Sequence, residues 1–290
     1  MSYPSPLQIE TKSTAKPFSF FIGETQVQDL RRKVLEQINE YQRQNVMFLT
    51  SEQKEKLEDI ACNTLEFNRK TKRRCNNDRL DLCVTADDLF AVAKLRANVY
   101  KTMPGYKEEF GTFPFLMLDP NDKRAAIVMT RKDNQIVGTM RTVYDSPAEG
   151  LPSEDKKISF GYQREIFKQI AENGRLAIDT KVQGKGLDFF LLNAQIRQIG
   201  KETDLKAFVF VVRSDRENDQ TKTRDYTDHT KLYLPFGGVQ VDNYIEGYGS
   251  LNQRSAVMSW RLDATPSRLF TRKAGAFERE NNEEIYKKAA

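Results

Sequence analysis

The sequence lacks the side chains from which many enzymes build metal sites and nucleophilic triads. Its 290 residues include one histidine, His229, so a His-based zinc site or a Ser-His-Asp triad would depend on that residue alone. We therefore expect neither site and no bound metal. The cysteines are odd in number and lack metal-ligand spacing, which indicates reduced thiols in a cytoplasmic protein. They are Cys62, Cys75 and Cys83.

Long apolar runs and a strong charge of one sign are also missing. No run approaches the roughly 20 apolar residues that a membrane-spanning helix needs, and the N-terminal MSYPSPLQIETKSTAKP has no signal-peptide core. The net charge of +5 favours anionic partners but does not by itself indicate nucleic acid. A hydrophobic share of 39% with 30% charged residues is typical of a soluble protein with a polar extension.

The stretch from Gly174 to Ile199 combines a short strand, a glycine-containing turn and a long helix. The apolar run 176–178 predicts the strand, Gly184 and Gly186 mark the turn, and apolar residues recur from 187 onward at helical spacing. Glycines at such a turn let the backbone approach a ligand, and the first helical N–H groups are available to it. These N–H groups and the positive end of the helix dipole suit a phosphate. The pattern therefore predicts a phosphate-bearing ligand held by the backbone.

Two helices are predicted ahead of the main domain. Thr25-x-x-Gln28 and Thr50-x-x-Gln53 are capping-box signals, and each precedes apolar residues at helical spacing. The helices could pair as a hairpin, which is either a partner-binding or lid segment or an extension packed on the main domain. The predicted organisation is a flexible N-terminus over 1–23, a helical extension over 24–80, an α/β domain over 81–263 and a charged tail over 264–290.

The α/β domain alternates strand and helix signals. The continuous apolar run 207–212 is typical of a central strand that is buried on both faces. The other predicted elements are a strand at 82–84, a helix starting at Asp87–Asp88, a hairpin of 125–130 and 136–144 around Asp133-Asn134, a polar insert over 145–173, and two last strands at 239–248 and 256–262.

The densest positive run of the chain precedes this domain. No aromatic residues interleave with it, which argues against a site for single-stranded nucleic acid. It is either a solvated linker or a docking surface for an acidic carrier protein, since clustered charge raises association rates. The run consists of Arg69, Lys70, Lys72, Arg73 and Arg74.

Two short motifs resemble those of the GNAT acyltransferases. Lys181–Gly186 resembles the (Arg/Gln)-x-x-Gly-x-(Gly/Ala) turn of that superfamily, with Lys181 where Arg or Gln is usual, and Tyr233-Leu-Pro-Phe-Gly237 resembles its Tyr-x-x-x-Gly. The resemblance implies an α/β fold with a GNAT-like mixed, mostly antiparallel central sheet flanked by helices. It also implies that the turn cradles the phosphopantetheine of an acyl donor through Ile178, Thr180, Lys181, Val182, Gln183, Gly184, Lys185, Gly186 and Leu187.

Five further short pieces of the sequence, taken together in their order along the chain, resemble the acyl-homoserine-lactone synthases. They resemble the bacterial N-acyl amino acid synthases more closely. The similarity covers residues 81–262. The sequence departs from the family pattern in two places. The lactone synthases have a tryptophan in the first helical region, whereas the only tryptophan of this chain is Trp260. In addition, this chain has Glu172-Asn-Gly-Arg175 where Glu-x-Ser-Arg is usual. The pieces are Arg96-x-x-Val99-Tyr100, Asp119-x-x-Asp122, Gly138-Thr-Met-Arg141, Gly150-Leu-Pro152 and Glu172-x-x-Arg175-Leu-Ala-Ile178.

The resemblance implies an N-acyltransferase with no permanently bound cofactor. It would move an acyl group, by the closer resemblance a fatty acyl group, from acyl carrier protein or acyl-CoA to the amine of an amino acid or small amine. An acetyl-CoA-dependent N-acetyltransferase and a GNAT-like binding module without catalysis are the alternatives, because a fold alone does not guarantee chemistry.

This chemistry and the resemblance together imply the site residues. The acceptor ammonium must lose a proton, so a carboxylate base is expected, with Glu172 as the first candidate and Asp179 as the second. Tyr233 is expected to face the thioester sulfur, or it packs in the core. The guanidinium groups of Arg96, Arg141 and Arg175, with Asp119 and Asp122, either bind an acceptor carboxylate or form a structural ion network.

Apolar residues of the insert offer a cover for an acyl chain. The alternative is the ordinary packing of a surface helix. They are Ile158, Phe160, Ile166, Phe167 and Ile170.

Overall fold

The computed structural model describes residues 24–46, 48–76, 80–102, 113, 115–156, 158–182, 187–213, 238–240, 245–248 and 253–262. Among the helices of these ranges, none has both the length and the apolar character needed to cross a membrane. The α-helices are α1 (Glu24–Asn45), α2 (Ser51–Cys75), α3 (Ala86–Lys101), α4 (Gly161–Phe167) and α5 (Leu187–Glu202), and two 3₁₀ helices span Pro120–Arg124 and Pro152–Lys156. The strands are β1 (Ala125–Lys132), β2 (Gln135–Tyr144), β3 (Ile170–Ile178), β4 (Ala207–Arg213), β5 (Gly238–Gln240), β6 (Ile245–Tyr248) and β7 (Gln253–Arg261).

These strands form one sheet in the order β1-β2-β3-β4-β7-β5, with β6 also paired to β7. All of the pairings are antiparallel except that of β3 with β4. The predicted fold class, a mixed and mostly antiparallel sheet flanked by helices, is therefore confirmed.

The β1–β2 hairpin follows the predicted pattern closely. Asp133 and Asn134 both have positive φ, 49° and 62°. Two positive φ values in a two-residue connection define a type I′ turn, whose twist matches that of the flanking strands. The predicted hairpin and its turn are confirmed.

Among the described strands, β3 and β4 form the only parallel pair, and it is short. β3 and β4 are in register from Ile170 with Ala207 to Glu172 with Val209. Beyond this point β3 continues alongside β2, and β4 continues alongside β7. Within the described residues, the two strands therefore diverge toward their carboxyl ends, and we call this divergence the fork. α5 begins at Leu187, just after β3, and leads back to β4.

The sheet is covered on both faces. One apolar cluster joins α1, α2 and α3 to β1 and β2, so the helical extension shares a core with the sheet. A second cluster packs α5 against the opposite face. The predicted capping box at Thr50 is confirmed by bonds in both directions with Gln53. The predicted cap at Thr25 is wrong, because α1 already includes Glu24 and Thr25 lies inside the helix.

α2 also runs along the outer edge of β1. Asn68 is fully buried, and its amide donates to the Ala125 carbonyl at 2.9 Å and accepts from the Ile127 N–H at 2.8 Å. Cys83 donates to the Ile127 carbonyl, and Leu82 forms a single bridge with Val128. The predicted strand at 82–84 is thus reduced to one bridge. Asn68 and this segment satisfy backbone groups that an edge strand would otherwise expose.

Three further boundaries differ from the prediction. β3 begins at Ile170, so the insert ends earlier than residue 173 and Glu172 lies on the strand. Gly238 already belongs to a strand, and the described residues of the predicted strand 239–248 lie in β5 and β6, which pair with successive parts of β7. The basic run lies in the last turns of α2, so it is not a linker, and cations there suit the negative end of the helix dipole.

Asn68→Ala tests how much the α2–β1 contact contributes to stability. We expect the free energy of unfolding to fall by about 2–3 kcal/mol, because the substitution leaves two buried backbone groups of β1 without partners. Asn63→Ala is the matched control, since Asn63 is exposed on the same helix and should cost less than about 0.5 kcal/mol. Urea unfolding measures both, and equal losses would contradict the role given to Asn68.

Candidate functional site

Glu172 lies at the base of the fork. It is the last β3 residue in register with β4, and its side chain is 8% exposed. Both of its carboxylate oxygens accept from Ser153, one from the backbone N–H at 2.9 Å and one from the hydroxyl at 2.6 Å. Glu172 pairs with Val143 and Gly174 pairs with Arg141, so all four residues share one sheet face. A buried, oriented carboxylate therefore belongs to the last β3 residue before the strands separate.

The environment of Glu172 raises its pKa. Burial raises the pKa of the carboxyl group, while the two bonds from Ser153 and the charge of Arg141 oppose that rise without cancelling it. A carboxylate with a raised pKa is a better proton acceptor at neutral pH than an ordinary one. Perturbed carboxyl groups of this kind are typical of functional sites.

A buried ion network adjoins Glu172. Arg96 of α3 and Asp122 are fully buried and paired at 3.0 Å. Arg141 of β2 bridges the carboxylates of Asp119 and Asp122 at 2.8 and 3.0 Å. Arg175 of β3 binds Asp119 at 2.9 Å. The two aspartates also cap the first 3₁₀ helix, and each accepts backbone N–H groups there.

A β-bulge brings Arg175 into this network. The β2–β3 register shifts between Thr139 and Arg141, so β3 carries one extra residue opposite β2. Arg175 lies in the extra segment and has a φ of 52°, which is uncommon for a residue other than glycine. Bulges of this kind redirect side chains, and here the guanidinium also lies 5.9 Å from the Tyr100 ring.

The network has more arginines than aspartates, so positive charge is in excess. Burial would raise the pKa of Asp119, but Arg141 and Arg175 outweigh it and lower the pKa well below its usual value. Within the described part of the chain, Nε and Nη2 of Arg96 and Nε of Arg141 have no hydrogen-bond partner. The ion pairs expected of a structural ion network are thus present. That the unpaired guanidinium N–H groups also bind the carboxylate of an acceptor stays a prediction.

A clamp in the insert was missed by the sequence reasoning. Arg164 binds Asp145 at 2.6 and 2.7 Å and Glu154 at 2.5 and 2.6 Å, so two bidentate pairs share one guanidinium. Glu154 also accepts the Leu151 N–H at 2.8 Å. The bond from Arg164 lowers the pKa of Glu154 to about 2. Only the Ser-Glu pair directly after the Gly-Leu-Pro motif could have drawn attention to this segment.

The end of β3 forms a turn. Asp179 donates its N–H to Val137 at 2.8 Å, and its carboxylate accepts the Lys181 N–H at 2.9 Å. The Val182 N–H closes the turn on the Asp179 carbonyl. The main-chain N–H of Asp179 is therefore already bonded, and its carboxylate stabilises the turn.

The structure describes only some of the other residues that are predicted to contact the acyl donor. Ile178 ends β3, Thr180 and Lys181 are exposed in the turn, and Leu187 begins α5. The roles given to them stay predictions. Gln183, Gly184, Lys185, Gly186, Tyr233 and His229 lie outside the described residues.

The basic run is largely engaged within the chain. Arg69 donates to the Val84 carbonyl at 2.9 Å, Lys72 to the Leu80 carbonyl, and Arg74 pairs with Asp204 at 2.8 Å. Lys70 pairs with Glu66 on the same helix. A carrier protein would have to compete with these contacts.

The apolar residues of the insert differ in exposure. Ile158, Phe160 and Ile170 are buried in a cluster with β4 and β7, whereas Ile166 of α4 is 50% exposed. The buried three therefore pack as an ordinary core. In the described ranges, no group of three or more His, Cys, Asp and Glu side chains is arranged to hold a metal ion.

Several solved structures resemble this chain. FeeM, an N-acyl amino acid synthase from uncultured soil microbes, has 15% identity and a TM-score of 0.47, over 66% of this chain and 94% of its own. MesI, a CoA-dependent acyl-homoserine lactone synthase, has 16% identity and a TM-score of 0.46, over 73% and 92%. The AHL synthase LasI has 16% identity and a TM-score of 0.43, over 61% and 84%. No protein-family model and no curated protein matches the sequence.

Arg141→Met tests the contribution of the ion network to stability. Methionine keeps much of the volume but leaves two buried carboxylates with fewer partners, so we expect a loss of about 3 kcal/mol. Arg131→Met is the control, since Arg131 pairs with Asp81 and Asp88 near the surface and should cost less than about 1 kcal/mol. Urea unfolding at neutral pH measures both, and a loss no larger than that of the control would show that the network does not stabilise the fold.

The pH dependence of folding stability in Glu154→Gln tests the clamp. Because the folded pKa of Glu154, about 2, lies below its usual value of 4.5, the ionised group stabilises the fold above pH 4.5, and this contribution is lost as the pH falls toward 2. The wild type should therefore lose more stability than Glu154→Gln across this interval. Thermal unfolding at a series of pH values measures the difference, and parallel curves would argue against the clamp.

Proposed function

We propose that this chain is an N-acyltransferase that moves an acyl group from a phosphopantetheine thioester to the amine of an amino acid or small amine. The observation that carries the proposal is the fork between β3 and β4, with the buried carboxylate of Glu172 at its base. A linear donor arm can enter between two diverging strands, where its amides can meet strand backbone.

The donor phosphates would lie at the start of α5. This helix begins just after β3, and the positive end of its dipole suits an anion. The predicted turn with Gly184 and Gly186 connects the two elements, and its resemblance to the GNAT turn supports the same placement. The thioester would then lie inside the fork, next to β3.

The reaction balances with the groups proposed for it. The amine nitrogen forms a bond to the thioester carbonyl carbon, and the carbon–sulfur bond breaks. The proton of the amine passes to the carboxylate of Glu172, directly or through water. The sulfur leaves as a thiolate, and we assign its protonation to Tyr233.

The ion network supports an acceptor that carries a carboxylate. Arg96 and Arg141 have buried nitrogen donors that no described residue satisfies, and both lie in the network beside Glu172. Guanidinium groups bind carboxylates in a bidentate manner. We therefore place the carboxylate of an amino acid acceptor near Arg96, Arg141 and Arg175, with Asp119 and Asp122 holding the arginines in position.

The length of the acyl chain separates two forms of the proposal. The closer motif resemblance favours a fatty acyl group from acyl carrier protein or acyl-CoA, with Arg69–Arg74 as the docking run for the carrier. The burial of Ile158, Phe160 and Ile170 in a packed cluster favours a short group such as acetyl from acetyl-CoA. Mass spectrometry of lipids from producing cells, and of assays with acyl-CoA and holo carrier protein of graded chain length, distinguishes the two.

A binding module without catalysis is the remaining alternative. Calorimetric binding of acyl-CoA without product in any assay would support that alternative and overturn the proposed activity. Product formation with either donor would support the enzyme.

Glu172→Gln tests the proposed base. The amide cannot accept the amine proton, so we expect kcat to fall by about 100-fold or more, while the amide oxygen still accepts a bond from Ser153 and the fold is kept. Asp179→Asn is the comparison, because the Asp179 carboxylate accepts the Lys181 N–H in the turn and should lose little activity when the amide replaces it. Steady-state kinetics on both folded variants decides, and full activity of Glu172→Gln would show that Glu172 is not the base.

A further inference from the structure

We infer that Ser153 is a positioning residue for Glu172 and that the insert regulates the proton affinity of this carboxylate. The catalytic meaning of this inference rests on the proposed function, whereas the contact between the two residues does not. Ser153 lies outside every motif that the sequence singled out, and it belongs to the second 3₁₀ helix, not to the sheet.

Ser153 donates two hydrogen bonds to the carboxylate of Glu172. Its backbone N–H and its hydroxyl bind different oxygens of one carboxylate, at 2.9 and 2.6 Å. Ser153 itself is 2% exposed, so water has little access to the contact. Two donors from a single residue fix both the position and the rotation of the carboxylate plane. Bonds of this kind favour the ionised form.

The other groups around Glu172 leave Ser153 as its main donor. From β2, Arg141 adds positive charge, and from the second 3₁₀ helix, Glu154 adds negative charge. The register partners on β2 and β4, Val143 and Val209, are apolar. Among the described residues, only Ser153 donates hydrogen bonds to this carboxylate.

The clamp fixes Ser153 in place. Arg164 holds Glu154, which is the next residue after Ser153, and ties it to Asp145 just beyond β2. Gly150 has a φ of 66°, and a Cβ built there would lie 2.7 Å from the Glu154 carboxylate. A glycine is therefore needed where the chain passes Glu154. The position of Ser153 is thus determined by the insert.

Removal of the hydroxyl has a defined electrostatic effect. Ser153→Ala keeps the backbone donor but removes the O–H that binds the ionised carboxylate, so the pKa of Glu172 should rise further above its usual value. At a pH below that pKa, fewer molecules carry the ionised base. We expect kcat/KM on the acid side of the profile to fall by about 10-fold, the loss that corresponds to one hydrogen bond to a charged group.

The experiment compares the full-length wild type with three variants. Ser153→Ala removes the hydroxyl, Ser153→Thr keeps it, and Ser159→Ala is the matched control, because Ser159 is exposed in the same insert and does not contact Glu172. The Glu172 carboxyl is titrated by ¹³C NMR of glutamate-labelled protein, and its signal is identified by its loss in Glu172→Gln. The kcat/KM profile against pH is recorded for each protein, and thermal unfolding confirms that each is folded.

The expected result is a titration of Glu172 that moves to higher pH in Ser153→Ala, with the acid limb of kcat/KM moving in parallel, and that returns toward wild type in Ser153→Thr. Unchanged titration in folded Ser153→Ala, or an equal shift in Ser159→Ala, would overturn the inference. A merely structural role would lower stability without moving the titration. If the wild type transfers no acyl group, the proposed function fails, and the NMR titration still decides whether Ser153 controls Glu172.

Discussion

The structure depends on the point at which β3 and β4 stop pairing. The two strands are held together from Ile170 to Glu172, and each then completes its hydrogen bonding on its other side. A parallel pair that separates in this way opens the middle of a sheet that is otherwise continuous. α5 and its apolar cluster cover one face there, and the cluster under the insert covers the other. The strands therefore separate between two packed layers, shortly before α5 begins in the chain.

Charge is the second constraint on this region. Arg96, Arg141 and Arg175 project from three different elements into the space between α3 and the sheet, where an isolated charge would be costly. Asp119 and Asp122 compensate them from a 3₁₀ helix that the same carboxylates cap. Glu172 differs from these aspartates, because both of its hydrogen bonds come from Ser153 in the insert and not from an arginine. The arginines are thus fixed by carboxylates, and Glu172 is fixed by the backbone N–H and the uncharged hydroxyl of Ser153.

Features set by neighbouring residues could be predicted from the sequence. The Thr50 capping box and the Asp133-Asn134 turn depend on a few consecutive residues, and both are confirmed. The start of β3 was missed, because Ile170 and Ala171 become strand only by pairing with β2 and β4. The clamp and the Ser153 contact were missed for the same reason, since Arg164 meets Asp145 across 19 positions and Ser153 meets Glu172 across 19. Motif resemblance singled out Glu172 and the arginines but could not separate ligand binding from ion pairing.

The covered edge of β1 has a consequence for self-association. Asn68 replaces a neighbouring strand for two residues of β1, Cys83 donates to the Ile127 carbonyl, and Gln195 of α5 donates to the Met129 carbonyl. Between Ala125 and Met129, sheet extension by a second copy would have to displace these bonds, because the groups that strand addition would use are already engaged. The opposite margin of the sheet, beside β7, is formed by the short β5 and β6. Among the described strands, continuous β-pairing between copies would therefore have to use that margin, and one such margin per molecule limits the pairing to two copies.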